Sequence, residues 1–248
     1  MPERSIAFDR VADRYDESRG GLRRGQVLAG SVQPHLPPGP VLEIGVGTGV
    51  IAIALVDAGR TVLGIDLSRP MLTHALARLG PRVVEADGAR LPVRAGAVDG
   101  VCVVWVLSLV GDPAGLVAEA ARALRPGGRV VIVGSRAAYD DDDLDPFFKR
   151  IEALRSSQDS VESVSGYAAA AGLEVAHVGI TDDNPFEQSP NQLADLIEQR
   201  LLSMLWDLDD GQWQEVVVPV IEGLRALSEP DRARPKTGLS RLLVLAKP

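Results

Sequence analysis

Glu43, Gly45, Gly47 and Gly49 stand on alternate positions in VLEIGVGTG, and Asp66 closes the next apolar run, TVLGID. A carboxylate, three glycines and a second carboxylate in this order suit a nucleoside-bearing ligand. Glycine lets the chain turn tightly and lets a ligand approach the backbone. The spacing alone leaves two ligand classes open. Gly47-Thr48-Gly49-Val50-Ile51-Ala52 satisfies the dinucleotide pattern G-x-G-x-x-G/A. An acid about twenty residues further on is where a ribose-binding carboxylate belongs.

Glu43 separates the two classes. A dinucleotide sets its pyrophosphate on this loop, at the positive end of the following helix. A carboxylate just before the loop repels that phosphate. S-adenosylmethionine carries no phosphate; it brings an ammonium and a sulfonium, and a nearby carboxylate favours both.

Other residues able to do chemistry read differently. His35 lies in a Pro-rich entry loop, His74 on the outer surface of a helix and His177 on a strand; all three read as structural. Asp140, Asp141, Asp142 and Asp143 repel one another and read as a solvated acidic loop, with no metal expected. Cys102, the single cysteine, sits in an apolar run and reads as a small packed hydrophobe, with no internal disulfide possible. Trp105, Tyr139, Phe147, Trp206 and Trp213 read first as packing residues and second as walls of a substrate pocket. No side chain stands out as a general base, so the catalytic residues are left unassigned.

The elements that must position the loop alternate strand and helix. Expected strands are 41–46, 61–66, 82–86, 98–106 and 129–133, the last entered through an RPGG turn. Expected helices are 50–58, ending at Gly59; 69–79, capped by Ser68 with Pro70 in its first turn; and 113–124. Near-continuous apolar strands joined by helices imply a parallel sheet covered on both faces. Further on, 146–158 suits a helix, Gly166 to Gly172 closes another, 173–180 a sixth strand, 191–227 two helices with Trp206 and Trp213, and 239–246 a last strand.

The expected organisation is one domain over 1–248. It has an N-terminal helical arm (1–35), a cofactor-binding half (36–135) and a substrate-side half (136–248). Helical insertions at about 136–165 and 182–237 would act as a cap. Ligands of such sheets bind outside the carboxyl ends of the strands, where insertions form lids and substrate walls. A net charge of -8 disfavours nucleic acid and anionic membrane surfaces as partners. No run is apolar enough to span a membrane, and the first residues lack the apolar core of a signal peptide. A soluble, cytoplasmic protein acting on a small molecule is expected. The residues do not choose between monomer and homodimer.

An ordered series of motifs carries a resemblance. VLEIGVGTG, VLGIDLSRPMLTHALAR, VEADGARLPVRAGAVDGVCVVWVLSLVGDP and LRPGGRVVIV, preceded by FDRVADRYDESRG, resemble class I S-adenosylmethionine-dependent methyltransferases of the small-molecule, methyltransferase domain 11-like type. The likeness runs over about residues 6 to 135. It implies a doubly wound, Rossmann-like α/β fold with seven strands, the last antiparallel, and helices on both faces. It implies S-adenosyl-L-methionine as cofactor, with S-adenosyl-L-homocysteine as product. By position, Glu43, Gly45, Val46, Gly47 and Gly49 wrap the methionine moiety, and Asp66 takes the ribose hydroxyls. Leu67 and Met71 pack near the adenine. Asp87 accepts the adenine amino proton, with Gly88 and Ala89 as backbone partners. Tyr15 and Arg19 belong to the arm that closes over the cofactor, Arg19 facing its carboxylate, and Val104 lies beside the methionine part.

One departure matters. Relatives often carry two histidines after strand four, where this chain has Ser108 and Leu109 in WVLSLVGDP. Methyl transfer to a small molecule, driven mainly by proximity and orientation, is the expected function. The alternatives are a methyltransferase-like protein that binds the cofactor without methylating, and an NAD(P)-dependent oxidoreductase.

Overall fold

The computed structural model describes residues 8–9, 12–182 and 184–248. The chain divides into two compact units. The first comprises Met1–Ser135, Ser157–Asp182 and Ser240–Pro248; the second comprises Arg136–Ser156 and Asp183–Leu239.

Nine strands occur among the described residues: β1 Val41–Ile44, β2 Val62–Asp66, β3 Val83–Glu85, β4 Val98–Val104, β5 Leu124–Arg136, β6 Glu174–Ile180, β7 Phe186–Gln188, β8 Arg234–Lys236 and β9 Ser240–Ala246. Seven build one sheet in the order β3-β2-β1-β4-β5-β9-β6. Strands β3 to β5 run parallel to one another through β2, β1 and β4, and β9 pairs antiparallel with β6. The expected seven-stranded doubly wound sheet is present.

Alternate residues of each strand feed two apolar layers. Leu42, Ile44, Val101, Val103 and Ile132 pack on one face with residues of the helices Pro113–Ala123 and Val161–Ala170. Val41, Val62, Cys102, Val104 and Val131 pack on the other with residues of Gly21–Val32, Val50–Asp57 and Arg69–Leu79. Cys102 is buried, as its apolar run implies. Ser68 caps Arg69–Leu79 through its hydroxyl, which accepts from Met71 N at 3.3 Å. No helix among the described residues is long and apolar enough to cross a membrane.

One local expectation gives way. RPGG is no turn before the fifth strand but an irregular stretch inside β5. The ladder with β4 jumps from Val98–Leu124 to Gly100–Arg129. Gly127 takes a φ of 78°, and the Gly127 and Lys247 amides bond across to Lys247 and Gly128 carbonyls. The β9 partner satisfies the backbone there, so the strand continues through the bulge.

The second unit has its own core of Leu144, Ile151, Leu193, Ile197, Leu205, Val217, Val220 and Leu224. Its helices are Asp145–Glu152, Pro190–Glu198 and a run from Asp210 to Arg225. Trp213–Val217 within that run is a π-helical segment. Pro219 explains it: without an N–H it cannot bond back to Glu215, and its ring crowds the preceding turn. Trp206 follows a short 3-10 turn, Ser203–Leu205, and so stands off the expected helix. β7 and β8, which the sequence pattern did not suggest, pair antiparallel.

The acidic run is only partly solvated: Asp141 and Asp143 are exposed, while Asp140 and Asp142 are half-buried against a cation. Lys236, fully buried, donates to Asp142 at 2.7 Å and Asp145 at 2.9 Å, with Asp140 at 3.2 Å. Arg234 forks onto both oxygens of Asp143 at 3.0 and 2.8 Å. Two cations on β8 pair with Asp140, Asp142 and Asp143 of the run, which offsets the repulsion among these acids.

Candidate functional site

β1 ends at Ile44 and the chain turns at once. The Gly45 and Val46 amides both donate to the Ile65 carbonyl, at 2.8 and 2.9 Å, which pins the loop to β2. Gly45 has a φ of 73°, and a Cβ there would lie 2.3 Å from a Val106 methyl. Gly47 has a φ of 53° and a Cβ there would meet nothing within 4 Å. The first glycine is required by packing; the second lifts the backbone beside open space. Asp66 at the end of β2 holds the loop. Its Oδ2 accepts from Gly47 N and its Oδ1 from Ser68 N, both at 2.8 Å. Burial raises the Asp66 pKa against the pull of these amides.

Glu43 is the unusual group. It projects into the same apolar layer as its ladder neighbour Cys102 and is 2% exposed. Its Oε2 has no hydrogen-bond partner among the described residues. Burial, with Asp66 adding repulsion, pushes its pKa up to about 8. Burial beside Glu43 also drives the Cys102 thiol well up, so it is no nucleophile. A buried carboxyl without a partner is costly unless something else completes it. Here it faces a pocket next to the glycine loop.

Of the residues carried over from the resemblance, Tyr15, Arg19, Glu43, Gly45, Val46, Gly47 and Val104 line that pocket. The other seven do not, and they lie around it. Gly49 precedes Val50–Asp57 with a φ of 82°. Asp66 grips the loop. Leu67 is 52% exposed beyond β2, while Met71 is buried in the first turn of Arg69–Leu79. Asp87 accepts from Ala89 N at 2.9 Å through Oδ1. A Cβ on Gly88 would fall 2.8 Å from an Ile44 methyl, so the 87–89 turn lies close against β1.

The N-terminal arm is clipped on by three acids. Asp9 accepts from the Ser68 hydroxyl at 2.6 Å, Asp13 meets His74 at 3.2 Å, and Asp16 accepts from the Thr48 hydroxyl at 2.6 Å while pairing with Arg78. His74 is thus a surface residue of its helix that also holds the arm. Asp13 and Asp16, three apart in the helix Ala12–Arg19, share one face of it. This arrangement delivers Tyr15 and Arg19 to the pocket.

Sequence reasoning missed Asp16, Thr48 and Arg24, which also line it, and gave Trp105 a packing role first. Trp105 has a φ of 54°, and the Arg24 guanidinium lies 3.7 Å above its ring. His35 and His177 stack on each other with centroids 4.9 Å apart. Ser108, in the segment where relatives carry histidines, is buried, and Asp112 caps the helix that follows. Tyr139, Phe147, Trp206 and Trp213 belong to the second unit. There Tyr139 donates to Glu152 at 2.6 Å, Trp206 donates to the Arg200 carbonyl, and Trp213 lies under the Arg200 guanidinium.

Comparison with known proteins agrees with this geometry. Residues 42–132 match the family described as a methyltransferase domain. A demethylmenaquinone methyltransferase of Mycolicibacterium vanbaalenii is 35% identical over 131 residues, covering 50% of this chain and 57% of that protein. The chain therefore spans little more than half the length of such relatives. A probable S-adenosylmethionine-dependent methyltransferase of Mycolicibacterium smegmatis is 32% identical over 181 residues, covering 68% of this chain and 70% of that protein. Among solved structures, a putative methyltransferase from Bacillus halodurans shares the fold with a TM-score of 0.58 at 21% identity, over 89% of this chain and 98% of that one.

Proposed function

The chain belongs to the class I S-adenosylmethionine-dependent methyltransferases, and we propose that it transfers the methyl group of S-adenosylmethionine to a small-molecule acceptor. The observation that carries this reading is Glu43. A buried carboxyl with an unpartnered oxygen among the described residues, beside a glycine loop, fits a cationic ligand end, which draws it into its charged form, whereas a pyrophosphate there meets no counter-charge and opposes that ionisation. The nicotinamide alternative is disfavoured on that ground.

The residues present fit the cofactor. Glu43 would hold its ammonium. Each Asp66 oxygen accepts one amide and keeps a free lone pair for a ribose hydroxyl. Asp87 uses Oδ1 on Ala89 N, leaving Oδ2 for an adenine amino proton. Gly45, Val46 and Gly47 bring backbone to the methionine part, with Val104 beside it. When bound, the cofactor supplies an activated methyl on a sulfonium leaving group. The chain's part is then to bind, orient and exclude water, which lowers the barrier by fixing the in-line geometry. No pocket side chain recommends itself as a base. Glu43 is committed to the ligand's cation, and Asp16 to Thr48 and Arg78. This supports an acceptor that arrives as a nucleophile. The net charge of -8 supports a small molecule over a nucleic acid.

Calorimetric titration with S-adenosylmethionine, S-adenosylhomocysteine, NAD and NADP tests the cofactor. Binding of the two sulfur ligands alone, weakened in Glu43→Gln, is expected. Binding of NAD or NADP in their place would overturn the reading. Binding without turnover across an acceptor panel would favour the non-methylating alternative.

A further inference from the structure

Among the described residues, the pocket that holds the unpartnered Oε2 of Glu43 also holds a cation with no carboxylate on it, Arg24. Arg24 sits in the helix Gly21–Val32, and its neighbour Gly25 fixes that helix in place: a Cβ on Gly25 would lie 2.3 Å from the Val50 carbonyl oxygen. Such close backbone approach leaves the helix little room to shift, so Arg24 is presented to the pocket by a rigid element. Its Nη1 donates to the Arg19 carbonyl at 3.2 Å. That uses one of the five N–H donors of a guanidinium. No carboxylate pairs with Arg24 among the described residues, and Asp16, which also lines the pocket, is taken by Thr48 and Arg78.

The guanidinium carbon lies over Trp105, 3.7 Å from the ring centroid. Trp105 adopts a φ of 54°, held by its amide donating to the Val133 carbonyl at 2.8 Å. A bulky residue in the left-handed region costs of order 1–3 kcal/mol and persists where its surroundings demand it. Here the demand is a platform at the end of β4 that turns the planar fork toward the pocket. Burial, with Arg19 adding repulsion, pulls the Arg24 pKa down to about 10, so the group stays charged at neutral pH.

We propose that Arg24, oriented by the indole of Trp105, binds a carboxylate of a pocket ligand, complementing the cation site at Glu43. The carboxylate has two sources: the amino-acid end of the cofactor, where Arg24 would stand in the role the resemblance implies for Arg19 and which rests on the methyl-transfer reading, or an anionic acceptor, which does not. Arginine suits either, because its fork binds both carboxylate oxygens while its face stacks; lysine does neither as well.

The test uses the full chain and its Arg24→Gln and Arg24→Lys variants. Three probes are titrated: S-adenosylhomocysteine, its decarboxylated analogue S-adenosyl-3-thiopropylamine, and benzoate, the last with and without saturating S-adenosylhomocysteine. If the cofactor supplies the carboxylate, the wild type prefers S-adenosylhomocysteine over the analogue by roughly ten- to a hundredfold. That preference collapses in Arg24→Gln, is partly kept in Arg24→Lys, and the analogue binds all three alike. If the acceptor supplies it, S-adenosylhomocysteine binds wild type and Arg24→Gln equally, and benzoate binds only the wild-type complex. A carboxylate preference that survives in Arg24→Gln, together with benzoate binding that is absent or does not depend on Arg24, overturns the proposal. So does equal binding of the two adenosyl ligands together with no benzoate binding. If no adenosyl ligand binds the wild type, the methyl-transfer reading fails by itself. Arg24-dependent benzoate binding by the ligand-free protein then still decides for Arg24, and its absence against. Should Arg24→Gln fold poorly, the same comparisons on Arg24→Lys decide, since the charge that the fold needs is retained there.

Discussion

Two buried charges in this molecule are treated in opposite ways. Lys236, in the second unit, is fully buried with three aspartates around it. Their company raises its pKa and lowers those of Asp140 and Asp145 despite burial. Glu43, in the first unit, is as deeply buried but has an unpartnered oxygen, and its pKa goes up to about 8. The same physics gives both results: a charge leaving water must find an opposite charge or lose its own. Where the chain supplies the partner, the group is architecture. Where it does not, the partner is expected from outside, and the group marks a site.

The largest effect should come from breaking the satisfied cluster. Lys236→Met strands Asp145, which is 2% exposed, along with Asp140 and Asp142, and removing one member of a buried ion cluster costs about 3–5 kcal/mol. Denaturant unfolding at pH 7, followed by hydrogen exchange in Pro190–Glu198, should show that loss in the second unit. The loss should shrink in acid. The lowered carboxylate pKa values mean that the cluster's stability is present above the ordinary carboxylate range and disappears as pH falls through the folded values. A variant as stable as the parent would mean that the cluster contributes nothing net.

Glu43 should show the reverse dependence on pH. Its folded pKa of about 8 lies above the unfolded 4.5. The folded protein therefore binds the extra proton between these values, and stability declines as pH rises through that window, by on the order of 3 kcal/mol up to pH 7. Glu43→Gln should abolish the decline. The same group predicts proton release on binding. At pH 7 about nine-tenths of ligand-free Glu43 is protonated. A cation seated against it would drive most of that proton off. Calorimetry of S-adenosylhomocysteine in buffers of different ionisation enthalpy should report close to one proton released by the parent and close to none by Glu43→Gln.

The parts of this contrast visible in the sequence were the local ones. The strands and the glycine loop show as apolar runs and alternate glycines within a few residues of each other, and Glu43 showed its importance by standing one residue from the loop. The cluster did not show. Asp140, Asp142 and Asp143 meet their cations only because β8 returns some ninety residues later, beside a β7 too short to register as a strand. The RPGG bulge depends likewise on Lys247. In the site, Asp13 and Asp16 share a face of the helix Ala12–Arg19 that could have been read, but their partners His74, Thr48 and Arg78 come from other elements, as does Ser68, which Asp9 meets. Arg24 is one arginine among several near the N-terminus. Nothing local says that its guanidinium lies on Trp105.

A smaller effect should follow at Asp66, where a carboxylate is both partnered and expected to bind. Asp66→Ala removes two amide bonds to the loop at Gly47 and Ser68 and the acceptors for the ribose. Losing charge-assisted hydrogen bonds of this kind should weaken S-adenosylhomocysteine by roughly ten- to a hundredfold. Asp66→Asn, which retains one carbonyl oxygen, should fall between. Equal loss in both would assign the effect to the charge and not to the loop geometry.

The smallest effect separates burial from pairing. Arg234 and Asp143 make the better geometry, a two-bond fork, yet Asp143 is 42% exposed. Water can replace what Asp143 provides, so Asp143→Ala should cost about 1 kcal/mol or less, screened further by salt. Arg234 itself is only 7% exposed by its side chain and also donates to the carbonyls of Ser228, Glu229 and Arg232. Those bonds keep it satisfied after the acid is gone. A loss near that of Lys236→Met would show that fork geometry, and not removal from water, sets the worth of an ion pair in this unit. A small loss would leave burial without a partner as the property that sets Glu43 apart.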